Sequence, residues 1–218
     1  MFTDELTMRW VTPIATRTLN DSEDFNLSLE KEILDLKQID SGVNLSNFMG
    51  WHSTVNLFSK PSQALDGLKE LLVQFVSDYI SELNQENCQV LVELVAWANV
   101  LEKGGYHLPH THSGHLSGVY YVNTGEPDSH NPNSGLIVFS DPRSNVNGIN
   151  SFYLDFGSSF KYEPKAGMIL LFPAYLLHWV HPFTGAGRRI AISFNVKLID
   201  PPCREISVTP VEAGIIQN

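Results

Sequence analysis

The pattern of hydrophobic and polar positions divides the chain into a helical part and a later strand-rich part. Between Ser62 and Leu83, apolar residues recur at spacings of three and four, which predicts an amphipathic helix that packs on a core. A second packing helix is predicted from the capping residues at 20–22 through about Leu36. Residues 6–20, before it, are extended in character, and the proline among them indicates an edge or interrupted strand.

After Asn87 the pattern changes to short strands separated by turns. Runs rich in Val, Ile, Leu, Phe and Tyr alternate with Gly, Pro, Asn and Ser. The predicted strands are 89–101, 115–122, 135–140, 152–156, 167–172, 177–183 and 188–198. Many short strands separated by such turns favour a double-sheet jelly roll, with the earlier helices supporting one sheet from outside. The loops 123–134 and 141–150 are long and polar, and such loops at a barrel mouth commonly contact substrate.

We therefore expect a single domain, 1–218, of the mainly β class with flanking helices. Residues 1–88 would form an N-terminal strand and the supporting helices. Residues 89–200 would form the core, a double-stranded β-helix of the jelly-roll or cupin-like kind, and 201–218 a C-terminal tail. A compact chain of this length buries roughly 70% of its extended surface, so a substantial core is available.

Charge and cysteine content exclude several classes of function. The net charge is -10 and no basic run is present, which argues against a nucleic-acid partner. Cys88 and Cys203 are far apart without a CxxC spacing, so we expect two reduced thiols. No apolar run is long enough to cross a bilayer, and the first residues lack the basic and apolar regions typical of a signal peptide. We expect a cytoplasmic protein with no membrane partner.

A histidine cluster is the strongest sign of chemistry. Four of the eight histidines lie between His107 and His115, directly before a β-branched and aromatic run. Residues at i and i+2 of a strand point to the same face about 7 Å apart, so His110 and His112 can converge on one metal ion. His107 and His115 fit that register less well. A third ligand could come from a later cluster, as either of two histidines, His178 or His181.

The strand predicted at 188–198 also carries a candidate binding residue. Alternation places Arg189, Ala191, Ser193 and Asn195 on one face and apolar residues on the other. If the first face lines the barrel, Arg189 is a cation inside a cavity. Burying an unpaired guanidinium is costly, so this arginine requires a carboxylate from the protein or from a ligand.

The order of these motifs resembles a known family. A His-x-His pair, the run SGVYYVN, a strand ending in FPAYLLH and the run RRIAISFN are similar to the iron(II)- and 2-oxoglutarate-dependent oxygenases. Within them the chain looks most like a bacterial and phage-type group related to the prolyl hydroxylase branch. The resemblance covers about Glu93 to Leu198. It implies iron(II), 2-oxoglutarate and O2, and hydroxylation of a substrate with release of succinate and CO2.

Residue roles follow from the same resemblance. It implies that His110, His112 and His178 are the metal ligands and catalytic residues, and that His181 is an outer residue. Three residues would bind the far carboxylate of 2-oxoglutarate: Arg189, Tyr121 and Ser193. Further candidates for the pocket wall are Trp97, Asn99, Tyr106, Tyr120, Arg143 and Trp179.

The chain departs from the family at one ligand, and this keeps alternatives open. The superfamily usually has an aspartate or glutamate where this sequence has His112. Three histidines also suit a cupin-type metalloenzyme, including a zinc enzyme, that does not use 2-oxoglutarate. A non-catalytic cupin-like binding module is a further alternative. The substrate is a peptide residue, a free amino acid or another small molecule, and a homodimer is possible.

Overall fold

A computed structural model describes residues 11–87, 90–143 and 159–199. The predicted strand at 152–156, the tail 201–218, both cysteines and most of the loop 141–150 lie outside the described residues. The helices are α1 (Glu23–Ile39) and α2 (Gln63–Asn84), with a short 3-10 helix at Leu57–Ser59. The strands are β1 (Ala15–Thr18), β2 (Asn47–His52), β3 (Leu91–His110), β4 (Leu116–Asn123), β5 (Ile137–Ser140), β6 (Ser159–Tyr162), β7 (Met168–Pro173), β8 (His178–Val180) and β9 (Arg189–Ile199).

Both helices form where the sequence predicts them and bury one face. In α2, the Ser62 hydroxyl caps the helix by accepting a 3.0 Å hydrogen bond from the Leu65 amide. The buried stripe of α2 consists of Ala64, Leu65, Leu68, Leu72, Phe75, Val76 and Tyr79. Helix α1 packs on β4, where the Tyr120 hydroxyl donates to Asn26 Oδ1 at 2.5 Å. The helices thus cover the outer face of the sheet.

The strands form one antiparallel sheet that curls into a jelly roll, as predicted. The hydrogen-bonded order is β1-β7-β4-β9-β3-β8-β5-β6, and β2 is also paired with β3. Strand β3 belongs to both halves of the roll, because residues 91–101 pair with β9 and residues 107–110 pair with β8. Gly104, at φ +90°, lies between these two segments. The end of β3 is therefore directed toward β8 and away from β9.

Two apolar cores lie on opposite sides of the larger half of the roll, which consists of β1, β7, β4, β9 and the first segment of β3. The outer core joins the helices to residues such as Tyr120, Ile192 and Phe194, and the inner core includes Tyr121 and Phe172. Consecutive residues of β4 and β9 alternate between these cores, as the two-residue period of a strand requires.

Strand register arranges the inner face in rows. Arg189 lies opposite Leu101, and the next row contains His52, Asn99, Ala191 and Tyr121. The third row contains Trp97, Ser193 and Val119, and the fourth contains Val95, Asn195 and Ser117. The face predicted from alternation in β9 is thus the one that lines the interior of the roll.

Three details of the strands differ from the sequence prediction. Strand β3 continues to His110 instead of ending at residue 101, and β8 is shorter than predicted. Strand β6 was not predicted, because it has only four residues and most of them are exposed. None of the helices in the described part of the chain combines the length and apolarity needed to cross a bilayer.

Candidate metal and cofactor site

Three histidines converge at the junction of the two halves of the roll. Their ring nitrogens, one from each of His110, His112 and His178, lie within 4.8 Å of one another. His110 ends β3 and pairs with His178, the first residue of β8. His112 lies two residues beyond the strand, where its amide donates to the Ala174 carbonyl at 2.9 Å. The backbone therefore fixes all three side chains in one place.

Hydrogen bonds to the backbone orient two of these rings. The Nδ1–H of His110 donates to the Leu108 carbonyl at 2.6 Å, and the Nδ1–H of His178 donates to the Leu176 carbonyl at 2.9 Å. Because Nδ1 carries the proton, Nε2 of each neutral ring keeps its lone pair for a ligand bond. Phe172 and Trp97 pack beside the cluster, with ring centroids 4.9 Å from His178 and 5.6 Å from His112 respectively.

Burial keeps the three imidazoles neutral. It lowers the pKa of His112 to about 3 and that of His178 to about 4, and neighbouring histidines lower both further. The pKa of His110 is also lowered by burial. Neutral imidazole is the form that binds metal, so no proton has to be displaced near neutral pH.

The spacing of the nitrogens suits a divalent cation. Nε2 of His112 and Nε2 of His178 are 3.3 Å apart. Two nitrogens bound to one metal at about 2.1 Å and at right angles lie about 3.0 Å apart. Three neutral nitrogens on one side of a cavity also match the facial arrangement of non-haem iron sites, although a carboxylate usually replaces one of them.

The remaining predicted histidines do not join the cluster. His181 lies outside it, and its amide donates to the Leu136 carbonyl at 2.9 Å. His115 accepts a 2.9 Å hydrogen bond at Nδ1 from the Leu198 amide. His107 is buried, faces the cavity and has its Nδ1 3.3 Å from the Ser46 hydroxyl. His52, a residue that sequence reasoning did not select, also lines the cavity and stacks on Trp97 at 5.5 Å.

Arg189 lies in the same cavity as a buried cation. Its side chain is 3% exposed, and its Nε donates to the Gly135 carbonyl at 3.2 Å. The guanidinium carbon lies 5.1 Å from the centre of the Tyr121 ring. No carboxylate forms an ion pair with Arg189 among the residues that the structure describes. Burial lowers the pKa of Arg189, and nearby Tyr121 opposes that shift.

The cavity has a volume of about 360 Å³ and joins the histidines to the predicted cofactor residues. All six predicted site residues line it: His110, His112, Tyr121, His178, Arg189 and Ser193. Of the further wall candidates, Trp97 and Asn99 line it. The remaining four do not: Tyr106, Tyr120, Arg143 and Trp179. Tyr120 faces the outer core, and Arg143 forms a hydrogen-bonded ion pair with Asp141.

Three buried polar atoms in this cavity have no hydrogen-bond partner among the described residues. They are Asn99 Oδ1, the Tyr121 hydroxyl and Asn195 Oδ1. Burial raises the pKa of Tyr121 to about 12, so its hydroxyl is a donor at neutral pH. Buried polar groups in native proteins are nearly always paired, so a concentration of unpaired ones in a cavity indicates a ligand.

Part of the chain matches a known protein family. Residues 95–195 match the family described as "Putative 2OG-Fe(II) oxygenase". No curated protein matches the sequence. The matched residues include all six predicted site residues.

Solved structures show the same fold at low sequence identity. A prolyl-4-hydroxylase of Pseudomonas putida is 14% identical, with a TM-score of 0.60, over 86% of this chain and 93% of that one. A Trichoplax adhaerens prolyl hydroxylase, solved with a peptide fragment of hypoxia inducible factor, is 14% identical, with a TM-score of 0.56, over 84% and 83% of the chains. HygX of Streptomyces hygroscopicus, solved with nickel and 2-oxoglutarate, is 12% identical, with a TM-score of 0.56, over 85% and 83%.

The family match and the fold agree with the resemblance read from the sequence. They confirm the enzyme class and its two cofactors, iron and 2-oxoglutarate, at the level of the family, while the individual site residues stay predictions. Residues 95–195, which carry the three histidines and Arg189, match the family of iron(II)- and 2-oxoglutarate-dependent oxygenases.

Proposed function

We propose that the protein is an iron(II)- and 2-oxoglutarate-dependent dioxygenase that hydroxylates a peptide or small-molecule substrate. His110, His112 and His178 hold the metal in this proposal. Arg189 and Tyr121 bind the far carboxylate of 2-oxoglutarate, with Ser193 beside them on the same face. Prolyl or other amino-acid residues are candidate substrates, since two proteins of this fold are prolyl hydroxylases.

One observation carries the proposal, namely the unpaired guanidinium of Arg189. A buried cation without a protein carboxylate is stable only if a ligand supplies the anion. The Tyr121 hydroxyl, also buried and unpaired, adds a donor at the same end of the cavity. An acid with one carboxylate on these two residues and its other end near the histidines satisfies both groups. 2-Oxoglutarate is such an acid.

In this proposal the protein's residues bind and orient the metal and the co-substrate, and they exclude water. Bound iron(II) and 2-oxoglutarate supply the oxidising chemistry, in which O2 and 2-oxoglutarate are consumed and hydroxylated substrate, succinate and CO2 are released. Phe172, Phe139 and Trp97 pack around the histidines and limit access of water. The backbone bonds of His110 and His178 hold the ring orientations during turnover.

The third histidine changes the charge of the site. Three neutral imidazoles leave a bound divalent cation one unit more positive than two histidines and a carboxylate do. A more positive centre favours the dianionic co-substrate. Three histidines also suit zinc, so metal analysis of the purified protein identifies the bound ion.

Calorimetric titration of 2-oxoglutarate into the metal-loaded protein tests the proposal. We expect binding that requires metal and is weakened by Arg189→Ala by about 2–5 kcal/mol, because that variant leaves the ligand carboxylate buried and unpaired. Succinate release that depends on added iron(II) would establish turnover.

The same measurements separate the two alternatives. Zinc in protein purified without added metal, together with no heat from 2-oxoglutarate, would identify a three-histidine enzyme of another kind. Binding of 2-oxoglutarate without succinate release under any iron loading would indicate a binding module.

A further inference from the structure

Asn195 has a side-chain amide that nothing in the described part of the chain satisfies. Its Oδ1 is buried without a partner, and its Nδ2 also makes no hydrogen bond to a described residue. The other side-chain amide that lines the cavity, that of Asn99, donates to the Ser193 hydroxyl at 3.0 Å, although its Oδ1 is also unpaired. The Asn195 amide thus has both its donor and its acceptor unused among the described residues. Such a group requires an external partner.

The position of Asn195 separates it from the co-substrate end of the cavity. Arg189 and Asn195 are six positions apart on β9, which corresponds to about 20 Å of strand. A five-carbon diacid held by Arg189 is much shorter than this. Exposure also increases along β9, from buried at Arg189 and Ala191 to half-buried at Ser193 and Asn195. Asn195 therefore lies at the more open end of the cavity, beyond the reach of the co-substrate.

The chemistry of the co-substrate leads to the same conclusion. A dicarboxylate with a keto group has only hydrogen-bond acceptors at neutral pH. It cannot satisfy the Asn195 oxygen, which needs a donor. The missing partner is therefore a different molecule.

The charges of the cavity restrict what that molecule can be. Among the described residues that line the cavity, Arg189 has the only charged side chain, and there is no aspartate, glutamate or lysine. A substrate ammonium or carboxylate near Asn195 would find no counter-ion there, because the guanidinium is about 20 Å away along the strand. Burying an unpaired charge is costly, so an uncharged group is favoured near Asn195.

We propose that Asn195 is a specificity residue that binds the uncharged amide groups on either side of one substrate residue through a paired donor and acceptor. Within one trans amide the N–H and the carbonyl point in opposite directions, but the N–H and the carbonyl of one extended residue point to the same side, which is the complement of the unused carboxamide. The neighbouring wall is apolar or neutral, with Trp97 in the next row and the Ser117 hydroxyl occupied by the Phe194 carbonyl at 3.2 Å. This inference rests on the proposed function, since it assigns the open end of the cavity to the substrate of that reaction.

Capped amino acids are suitable probes because the substrate is not identified. N-acetyl amino acid N-methylamides carry uncharged amides, whereas the corresponding free amino acids are zwitterions. With iron(II) and 2-oxoglutarate, succinate release would be measured with and without each probe. We expect capped probes, and not free amino acids, to raise the rate. The ratio of stimulated to basal rate should fall to about one in Asn195→Leu, and Ser117→Ala, in the same row, should keep the wild-type ratio.

Binding of the best capped probe gives a second readout that does not need turnover. Calorimetry on the zinc-loaded protein with 2-oxoglutarate should show about tenfold weaker binding to Asn195→Leu than to wild type. Equal affinity of the two proteins, stimulation by free amino acids alone, or no response to any capped probe would overturn the proposal. Absence of succinate in all samples would instead count against the proposed function, and the binding comparison would still decide the role of Asn195.

Discussion

Two neighbouring tyrosines differ in whether their buried hydroxyls have a hydrogen-bond partner. Tyr120 and Tyr121 are adjacent and both fully buried, yet only Tyr120 has its hydroxyl bonded, to Asn26. The unpaired hydroxyl of Tyr121 reduces stability until a ligand accepts from it. Hydrogen bonding therefore separates a side chain that stabilises the fold from one that is proposed to bind a ligand.

Tyr121→Phe tests this distinction directly. Removing an unpaired buried hydroxyl should leave the free energy of unfolding of the ligand-free protein unchanged or slightly higher. The same change should weaken the binding of 2-oxoglutarate by about 1 kcal/mol, or roughly fivefold in affinity, since a hydrogen bond to the ligand is lost. Urea denaturation and calorimetry would measure the two effects. Tyr120→Phe is the control, and we expect it to destabilise the protein without weakening 2-oxoglutarate.

His112 permits a test of the ligand set. His112→Asp introduces the carboxylate that the family usually carries, so we expect this variant to retain iron(II) at one ion per chain. His112→Ala should lose at least about tenfold in metal affinity, because only two ligands remain. Metal analysis after dialysis checks both. Stoichiometric iron in the alanine variant would show that His112 is not a ligand.

At the scale of elements, local sequence patterns predicted the helices and most strands but missed features that depend on how the strands pair. Sequence patterns found both helices and six of the strands after Asn87, because apolar spacing reports the buried face. The i, i+2 reasoning selected His110 and His112, although the strand ends at His110 and a bond to Ala174 positions His112. His52 was missed because only the register of β2 against β3 brings it to the cavity. The choice of His178 over His181 as the third ligand came only from the family resemblance.

Two glycines offer a matched test of how the elements pack. Gly118 lies in β4, where an added Cβ would come within 2.6 Å of the Leu170 carbonyl and also meet the Phe194 ring. Gly67 lies in α2, where the nearest atom would be Phe25 Cε2 at 3.7 Å. We expect Gly118→Ala to destabilise the protein by about 1–3 kcal/mol. Gly67→Ala should stabilise it by about 0.5–1 kcal/mol, through helix propensity.

Urea denaturation of these two variants would measure both effects. Equal effects from the two substitutions would contradict the close approach of β4, β7 and β9.

At the scale of the whole molecule, the proposed ligands connect the two halves of the roll. The histidines lie on the end of β3, just beyond it, and on β8, whereas Arg189 and Tyr121 lie on β9 and β4 of the larger half. In the proposed function, metal binds to the first group only, and 2-oxoglutarate, held by the metal at one end and by Arg189 at the other, would span both halves. The co-substrate should therefore bind tightly only after the metal.

Thermal unfolding with each ligand alone and with both tests this order. A ligand at one hundred times its Kd adds about 2.7 kcal/mol to stability. In a chain of this size that corresponds to a rise in melting temperature of about 5–10 °C. We expect this rise with metal, a second rise when 2-oxoglutarate is added to the metal-loaded protein, and almost none with 2-oxoglutarate alone. Arg189→Ala should keep the first rise and lose the second, and His178→Ala should lose both, because the metal connects the co-substrate to the smaller half. A full second rise in Arg189→Ala would mean that 2-oxoglutarate does not span the two halves.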